Sequence, residues 1–286
     1  MGKDSKIQWT DHTFNPWWGC TKVSPACTNC YAEAFARRTG RDLWGPRADR
    51  MVTKGPWKEA LRWDRDARAS GERARVFCSS MADVFEEGAE LDSVRARLWT
   101  VIEATPSLDW LLLTKRPHLV HRLVPWRTTW PTNVWLGTTA ENQEWADRRI
   151  PELLANPAVL HFVSAEPLLG PLDLTRWLGD GRVRSGPSTT IDWVIVGGES
   201  GGRARAMDPA WARALRDQVV AQGVPFHFKQ WGEFGECAEA SPKRAHLTSS
   251  GEVVYRLGTK NTGRQLDGRD WDQLPRVAKR LLPSVT

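Results

Sequence analysis

The feature that most constrains the fold is an alternation of short apolar runs with segments rich in helix-forming residues. The apolar runs lie at 76–78, 110–113, 134–136, 160–163, 191–196 and 224–228. Helices are predicted near 91–104, 142–155 and 208–222, and the last begins with an N-cap and proline pair, Asp208-Pro209. Strands that alternate with helices in this way predict a parallel α/β sheet.

Each apolar run is nearly continuous, which is the pattern of strands covered on both faces. An additional strand before the first cysteines suits a barrel or partial barrel better than a small open sheet. In such barrels the active site lies at the carboxyl ends of the strands, and here every run ends in small, polar or charged residues. We therefore predict an α/β fold, a barrel or partial barrel, with its functional site at that edge.

The length of the chain fits one barrel with an appendage. A TIM-type barrel needs about 250 residues, and the chain has 286. Residues 1–232 are assigned to the barrel and its N-terminal cysteine loop. Residues 233–286 are predicted to form a C-terminal extension packed on the barrel, with a hairpin around 249–251.

Three of the five cysteines, Cys20, Cys27 and Cys30, lie close together with the spacing C-x6-C-x2-C. Iron–sulfur clusters are held by cysteine thiolates at such spacings, commonly by four of them. Three local cysteines without an obvious fourth therefore suggest a cubane with one iron open to a ligand from outside the protein. The alternative is a structural zinc site, which needs four ligands and would be completed by His12 or another distant residue. A helix predicted over 31–38 would direct its N-terminal amides at whatever the loop holds.

The charge of the chain is concentrated near the cysteines. The net charge is +6, and residues 1–75 carry 15 Lys and Arg against 9 Asp and Glu, while the remainder is balanced. This excess fits a polyanionic partner such as DNA or RNA, and a solvated helical surface is the alternative. No apolar run approaches the roughly 20 residues that span a bilayer, and the N-terminus lacks the apolar centre of a signal peptide. We therefore expect no membrane partner and a cytoplasmic location.

The cysteine loop and four other segments resemble one protein family. The run Cys20-x6-Cys27-x2-Cys30-Tyr31-Ala32 follows Asn-Pro-Trp-Trp-Gly. The other segments are Leu-Leu-Thr-Lys-Arg-Pro at 112–117, Ser-Ala-Glu-Pro-Leu-Leu-Gly-Pro at 164–171, Val-Ile-Val-Gly-Gly-Glu-Ser-Gly at 194–201 and Phe-Lys-Gln-Trp-Gly at 228–232. Together they resemble the phage-associated three-cysteine-motif family, a branch of the radical S-adenosylmethionine (SAM) superfamily. The Cys-Tyr-Ala ending also resembles spore photoproduct lyase, a DNA-repair member of that superfamily.

The resemblance implies a partial (β/α)6 TIM-like barrel of radical SAM type, with a [4Fe–4S] cluster on Cys20, Cys27 and Cys30. The amine and carboxylate of SAM would chelate the open iron, and reductive cleavage would give a 5′-deoxyadenosyl radical that abstracts a substrate hydrogen. The usual superfamily spacing is C-x3-C-x2-C. The longer first gap here can still reach, because each residue extends the chain by up to about 3.3–3.6 Å.

The implied function is a radical SAM enzyme that acts on nucleic acid, with DNA favoured, in repair or base modification. Such an enzyme needs an electron donor such as flavodoxin or ferredoxin. Two alternatives stay open. One is a non-catalytic nucleic-acid-binding protein stabilised by zinc or an iron–sulfur cluster, and the other is a radical SAM enzyme with a small-molecule or protein substrate.

The candidate SAM-binding residues lie in the polar segments after the predicted strands. They are Ser80, Asp83, Lys115, Thr138, Asn142, Glu166, Gly197, Gly198 and Glu199. Ser80 and Asp83 occupy a position where superfamily members commonly contact SAM. Glu199 could take the amine or ribose of SAM on a glycine-rich turn that a ligand can approach closely, although glycine also serves a plain tight turn. Lys115 could hold a carboxylate or phosphate or cap the barrel mouth, and Glu166 could instead pair within the barrel.

Two further cysteines lie apart from the loop. Cys78 ends a predicted strand and is the candidate catalytic residue. A thiol there could return a hydrogen atom to a substrate radical, as a cysteine does in photoproduct lyases. The alternative is a small buried side chain. Cys237 lies in the tail and is expected to be inert.

Overall fold

The structure is a computed structural model that describes residues 5–182, 186–236 and 245–275, so that Cys237 lies outside the described residues. The helices are α1 (Tyr31–Arg38), α2 (Pro56–Ser70), α3 (Asp92–Ala104), α4 (Val120–Leu123), α5 (Gln143–Leu154) and α6 (Pro209–Ala221). None of the helices in these ranges is long and apolar enough to cross a bilayer.

The strands account for most of the predicted apolar runs. They are β1 (His12–Thr13), β2 (Trp17–Trp18), β3 (Met51–Val52), β4 (Ala74–Cys78), β5 (Leu108–Thr114), β6 (Val134–Thr139), β7 (Leu160–Ala165), β8 (Trp193–Gly197), β9 (Phe226–Gln230), β10 (Phe234–Gly235), β11 (Ala245–Leu247), β12 (Val253–Arg256), β13 (Gln265–Leu266) and β14 (Arg269–Asp270). Seven of them form one parallel sheet in the order β1-β4-β5-β6-β7-β8-β9. This curled sheet is compatible with a partial TIM-like barrel, and the predicted α/β alternation is confirmed.

Local sequence explains where several helices begin and end. The side chain of Asn142 accepts a hydrogen bond from the backbone N–H of Trp145 and caps α5. Asp208 caps α6 in the same way, through the N–H of Ala210, and Pro209 occupies the first helical position. Helix α2 ends at Gly71, whose φ of 73° is the left-handed conformation that glycine adopts without cost.

Alternate residues of the sheet belong to two separate cores. On the outer face, Val76 and Leu112 pack in a large cluster with helical side chains such as Trp63 of α2. On the inner face, Phe77 and Leu111 join a smaller, largely aromatic cluster. Successive side chains of a strand point to opposite faces, so a strand between two apolar layers is apolar almost throughout. This explains the continuous runs seen in the sequence.

The N-terminal segment before β1 closes the bottom of the inner face. Trp9 is 2% exposed and belongs to the inner cluster. Its ring centroid lies 4.6 Å from that of Phe77, 6.4 Å from that of Phe162 and 6.2 Å from that of Trp193. The N-terminal segment thus places apolar side chains on the inner face of the sheet, beneath the polar edge that the carboxyl ends of the strands form.

The C-terminal segment adds two small antiparallel sheets. Strands β10, β12 and β11 form one, and β13 and β14 form the other. Strands β11 and β12 flank residues 248–252, so the predicted hairpin is confirmed. The following residues run along β9, because the N–H of Phe228 donates to Trp271 O and the N–H of Gln273 donates to Phe226 O. This contact covers the exposed edge of the parallel sheet, which would otherwise present unpaired backbone groups.

Candidate functional site

A cavity of about 180 Å³ opens at the carboxyl ends of the strands, the edge that the polar strand endings predicted. Polar side chains at the carboxyl ends of five strands line its wall. Ser79 and Lys115 directly follow β4 and β5, and Thr139, Ser164 and Lys229 lie at the end of β6 or one residue before the ends of β7 and β9. Deeper on the wall the cavity is lined by apolar residues, namely Ile7, Trp9, Phe77 and Leu113. A ligand that fits this shape has one apolar end and one polar end.

The cysteine loop forms one side of the same cavity. Cys20, Cys27 and Cys30 all line it, and each is partly exposed. Cys30 is the residue before α1, so the helix begins directly after the third cysteine, as the sequence predicted. The backbone N–H groups of Ala32 and Glu33 in its first turn therefore lie beside the Cys30 sulfur.

The first cysteine is held by a set of buried charges, which we call the Arg116 quartet: Asp83, Glu86, Arg50 and Arg116. Arg116 Nη1 donates to Asp83 Oδ2 at 3.0 Å and lies 3.7 Å from Cys20 Sγ. Glu86 accepts the backbone N–H of Thr21 at 2.8 Å. The loop at residues 20–21 is thus fixed from below by side chains that follow β4 and β5.

The middle of the loop is held by a second buried pair. Glu141, which follows β6 and is fully buried, accepts the backbone N–H of Ala26 at 3.1 Å. Its other carboxylate oxygen is 2.8 Å from Arg149 NH1 on α5. The carboxylate of a residue after one strand therefore orients the backbone next to Cys27.

The third part of the loop is tied to the segment after β8. The two carboxylate oxygens of Glu199 accept from Arg205, at 2.9 and 2.5 Å. Asn29 Nδ2 also donates to Glu199 at 3.1 Å, and Arg205 NH2 donates to the carbonyl oxygen of Pro25 at 2.9 Å. These bonds hold the pKa of Glu199 below its ordinary range, although burial works in the other direction.

Two charged groups on the cavity wall face the loop from the other side. Glu166 follows β7, and its Oε1 is 2.5 Å from Lys229 Nζ at the end of β9. Lys115, which follows β5, lines the cavity, and its positive charge favours the thiolate of Cys30. The wall therefore offers both an ammonium and a carboxylate to a ligand.

Burial favours the protonated form of two thiols of the loop, Cys20 and Cys30. Burial raises the pKa of the Cys20 thiol to about 12, although the Arg116 guanidinium opposes the shift. Burial also raises the pKa of Cys30, against the N–H groups of Glu33 and Ala32. Thiolates at these positions need a positive charge to compensate them, and a bound metal centre is the usual source.

Most of the predicted site residues meet at this cavity. Those on its wall are Cys20, Cys27, Cys30, Ser80, Asp83, Lys115, Glu166, Gly198 and Glu199. Gly197 lies directly behind the wall, beside the Glu166 side chain. Three carboxylates on the wall are bonded to cations within the protein: Asp83 to Arg116, Glu199 to Arg205 and Glu166 to Lys229.

Three predicted residues are not on the cavity wall. Cys78 is fully buried in the larger, outer core, and burial raises its thiol pKa. Thr138 is fully buried and donates its hydroxyl to Thr114 O. Asn142 caps α5. The structure thus places Cys78 among core side chains, as the alternative of a small buried side chain predicted.

The glycine pair after β8 has a packing requirement. A side chain at Gly198 would collide with the carbonyl oxygen of Trp231. The N–H of Gly198 donates to Gln230 O at 2.9 Å, so the two chain segments are drawn together. Close approach of backbone to backbone therefore accounts for Gly198, whether or not a ligand also approaches it.

The donor set of the loop suits an iron–sulfur cluster. Within the described ranges, no three His, Cys, Asp or Glu residues are grouped closely enough to hold a metal ion. A cubane carries its irons on separate corners, so its thiolate ligands stand further apart than the ligands of one ion. Three cysteines of a single loop line one cavity, and thiolates are the ligands that such clusters use.

Comparison with known proteins places the chain in a family. Residues 4–275 match the family described as "Protein of unknown function (DUF5131)". The chain belongs to this family. A search of curated proteins finds no match. Among solved structures, a mutant of spore photoproduct lyase matches with a TM-score of 0.44 and 12% sequence identity, over 90% of this chain and 71% of that chain.

Few of the residues that hold the loop of this DUF5131 protein could be recognised from the sequence. These residues lie far from the cysteines along the chain or are separated from them by a loop. They are Arg50, Glu86, Glu141, Arg149 and Arg205. One indication was available for Glu141, which belongs to the polar segment after the run at 134–136. Its position after a strand predicted a place at the site, and the structure shows it bonded to the loop.

Proposed function

We propose that this protein is a radical SAM-type iron–sulfur enzyme that acts on nucleic acid, with DNA favoured. The observation that carries the proposal is the meeting of Cys20, Cys27 and Cys30 at one cavity on the carboxyl edge of the parallel sheet. Three thiols would hold three irons of a [4Fe–4S] cluster and leave the fourth to SAM. When bound, the cluster and SAM supply a 5′-deoxyadenosyl radical.

The residues around the cavity have the chemistry to bind a zwitterion with an attached ring. Lys115 offers an ammonium to a carboxylate, and Glu166 offers a carboxylate to an amine. Trp9 and Phe77 line the deeper, apolar part of the cavity. Closure of this apolar part by the N-terminal segment excludes water from below, and a radical formed in the cavity would be protected from it.

The way the loop is held favours a reactive role for its metal. Arg116, Glu141 and Glu199 already anchor the loop at three places through hydrogen bonds to its backbone and side chains. A structural zinc ion supplies folding energy to a segment that has little of its own. A loop whose conformation is already fixed by buried ion pairs does not need a metal ion for its folding. Its thiols can therefore hold a reactive cluster instead.

Nucleic acid is proposed as the substrate because of the charge beside the site. The positive excess of the chain lies within residues 1–75, which include the cysteine loop and α1. Tyr31, the first residue of α1, lines the cavity and is 54% exposed, and Arg37 and Arg38 lie in the last turn of the same helix. An exposed ring can stack on a base, and basic residues of the same segment would attract its phosphates. An acidic electron carrier such as flavodoxin or ferredoxin is proposed as the reductant.

The decisive experiment is anaerobic reconstitution with iron and sulfide. We expect a brown protein with about four irons and four sulfides, which cleaves SAM to 5′-deoxyadenosine when dithionite is added. Cys27→Ala should lose the cluster, whereas Cys78→Ala, which removes a thiol away from the cavity wall, should load it like the wild type. Cluster loading without SAM cleavage would refute the enzyme, and zinc without iron or sulfide would favour a non-catalytic metal protein.

Two further measurements test the ligand and the substrate. Lys115→Met and Glu166→Gln should each weaken SAM binding to the loaded protein by about tenfold or more, since each removes a charged hydrogen-bond partner. Binding to single-stranded and double-stranded DNA should weaken steeply as salt is raised. If neither DNA nor RNA shows salt-dependent binding, a small-molecule or protein substrate takes the place of nucleic acid.

A further inference from the structure

Arg116 is a charged side chain in contact with a cysteine sulfur of the loop. Its Nη1 donates to Asp83 Oδ2 at 3.0 Å and is 3.7 Å from Cys20 Sγ. Its Nη2 donates to the carbonyl oxygen of Thr21 at 2.8 Å. The planar guanidinium is thus fixed by partners on two sides, and a single nitrogen, Nη1, contacts both a carboxylate and a sulfur.

The contact is buried, which makes its charge effective. The side chains of Arg116 and Asp83 are each 8% exposed, and those of Arg50 and Glu86 are 5% and 6% exposed. The Arg116 quartet has two positive and two negative groups, so it is neutral before Cys20 is counted. Burial works against the charge of Arg116, but Asp83, Cys20 and Glu86 raise its pKa, and it stays cationic. In a medium of low dielectric, a charge at this distance from sulfur is only weakly screened.

The other two cysteines have different surroundings. Cys27 Sγ lies 4.0 Å from the hydroxyl oxygen of Ser24. Cys30 has the backbone N–H groups of Ala32 and Glu33 beside it at the start of α1. Neither of these contacts is with a formally charged group, although the charge of Lys115 also acts on Cys30. The three positions would therefore stabilise negative charge unequally, and at Cys20 a guanidinium is in direct contact with the sulfur.

We propose that Arg116, oriented by Asp83, is a positioning residue that raises the reduction potential of a cluster bound through Cys20. The inference rests on the proposed function. One electron from a low-potential donor converts [4Fe–4S]2+ to [4Fe–4S]+, with no bond made or broken and no proton moved. A cation and an N–H beside a ligating sulfur stabilise the added negative charge. Asp83 counteracts Arg116, because it contacts the same Nη1 and has the opposite charge.

The experiment is a redox titration of the reconstituted protein with dithionite, followed by the EPR signal of the reduced cluster. Arg116→Gln removes the cation and should shift the midpoint potential to a more negative value. Asp83→Asn removes the opposing charge and should shift it to a less negative value. Arg116→Lys keeps the charge but loses the planar fork, so it should shift the potential less than Arg116→Gln.

Arg73→Gln is the matched control. Arg73 is also largely buried, and it pairs with Asp109 near the start of β5, at the sheet edge opposite the cavity. Its variant removes a paired cation that is far from the cysteines and should keep the wild-type potential. Shifts of Arg116→Gln and Asp83→Asn in the same direction, or an Arg116→Gln shift equal to that of Arg73→Gln, would overturn the inference.

A variant that fails to fold does not remove the test. The double variant Arg116→Gln/Asp83→Asn leaves no unpaired charge between these two positions, and it should titrate at a more negative potential than Asp83→Asn alone. Equal potentials for these two variants would overturn the inference. A wild-type protein that binds no cluster would overturn the proposed function as well. A cluster whose midpoint potential is unchanged in Arg116→Gln would overturn only this inference.

Discussion

The cysteine loop and the C-terminal hairpins are both attached to the barrel by arginine–carboxylate pairs, but the pairs differ in burial. At the loop, the side chains of Arg149 and Glu141 are 3% and 0% exposed. At the hairpins, Arg213 of α6 is 27% exposed and its partners Glu252 and Asp267 are 37% and 40% exposed. The same chemistry therefore operates in two environments on one scaffold.

The difference indicates different purposes for the two attachments. A buried pair adds little net stability, because desolvation offsets the attraction, but it is costly to break and so fixes geometry. An exposed pair is screened by water and salt and contributes little. The barrel thus holds the loop in one conformation beside the cavity, whereas it holds the hairpins by many weaker contacts that cover the edge of β9.

The largest effect is expected at the buried pair of the loop. Glu141→Gln keeps an acceptor for the N–H of Ala26 but leaves the Arg149 guanidinium buried without a counter-charge. Unfolding in urea should show a loss of about 3–5 kcal/mol. Glu144→Gln, on α5, removes the exposed partner of Arg148 and should cost less than about 0.5 kcal/mol. Similar losses for the two variants would show that burial does not distinguish the two ion pairs in their effect on stability.

An intermediate effect is expected at Asp208, the buried anchor of the hairpins. It caps α6 and accepts from the hydroxyls of Ser249 and Ser250, at 2.8 and 2.7 Å. Asp208→Ala should cost about 1–2 kcal/mol by urea unfolding and should speed hydrogen exchange in β11 and β12. Asp217→Ala, at an exposed site on α6, serves as the control. Unchanged exchange in the hairpins would show that Asp208 acts only as a helix cap.

The contribution of Asp208 should depend on pH. Burial raises the pKa of its carboxyl, but the hydrogen bonds from Ser250 and Ser249 outweigh this and hold the pKa below its ordinary value. The unfolded value is about 3.9, so the stabilisation is fully present above about pH 4 and is lost as the pH falls through the folded pKa. The difference in stability between wild type and Asp208→Asn should therefore shrink on acidification. A difference that stays constant from pH 7 to pH 2 would contradict this linkage.

The smallest effect is expected at Arg213, which pairs with Glu236, Glu252 and Asp267 at 2.7–2.8 Å. Arg213→Met should cost about 1 kcal/mol or less, because the pairs are partly exposed. The loss should decrease further as salt is added, since the Debye length falls to about 3 Å at 1 M. A loss as large as that of Glu141→Gln would mean that the hairpins are held as firmly as the loop.

Which predicted residues line the cavity depends on single positions along a strand. Cys78 and Thr138 were expected at the cavity, but their neighbours Ser79 and Thr139 are the ones on its wall. Side chains alternate between the two faces of a sheet, so a shift of one residue moves a side chain from the cavity to the outer core. Both faces of this sheet are apolar along most of their length, and the sequence therefore had no pattern from which to tell them apart.

The sequence by itself determined the alternation of strands and helices, the polar edge and the place of the cysteine loop on it. These features depend on local periodicity, on strand endings and on the spacing of three cysteines, all of which can be seen within short segments. Tertiary structure alone decided which charged groups are available at the cavity. Asp83, Glu166 and Glu199 line the cavity while bonded to Arg116, Lys229 and Arg205, and Lys115 lines it beside them. Pairing joins residues on different strands, and only the folded sheet brings them within hydrogen-bonding distance.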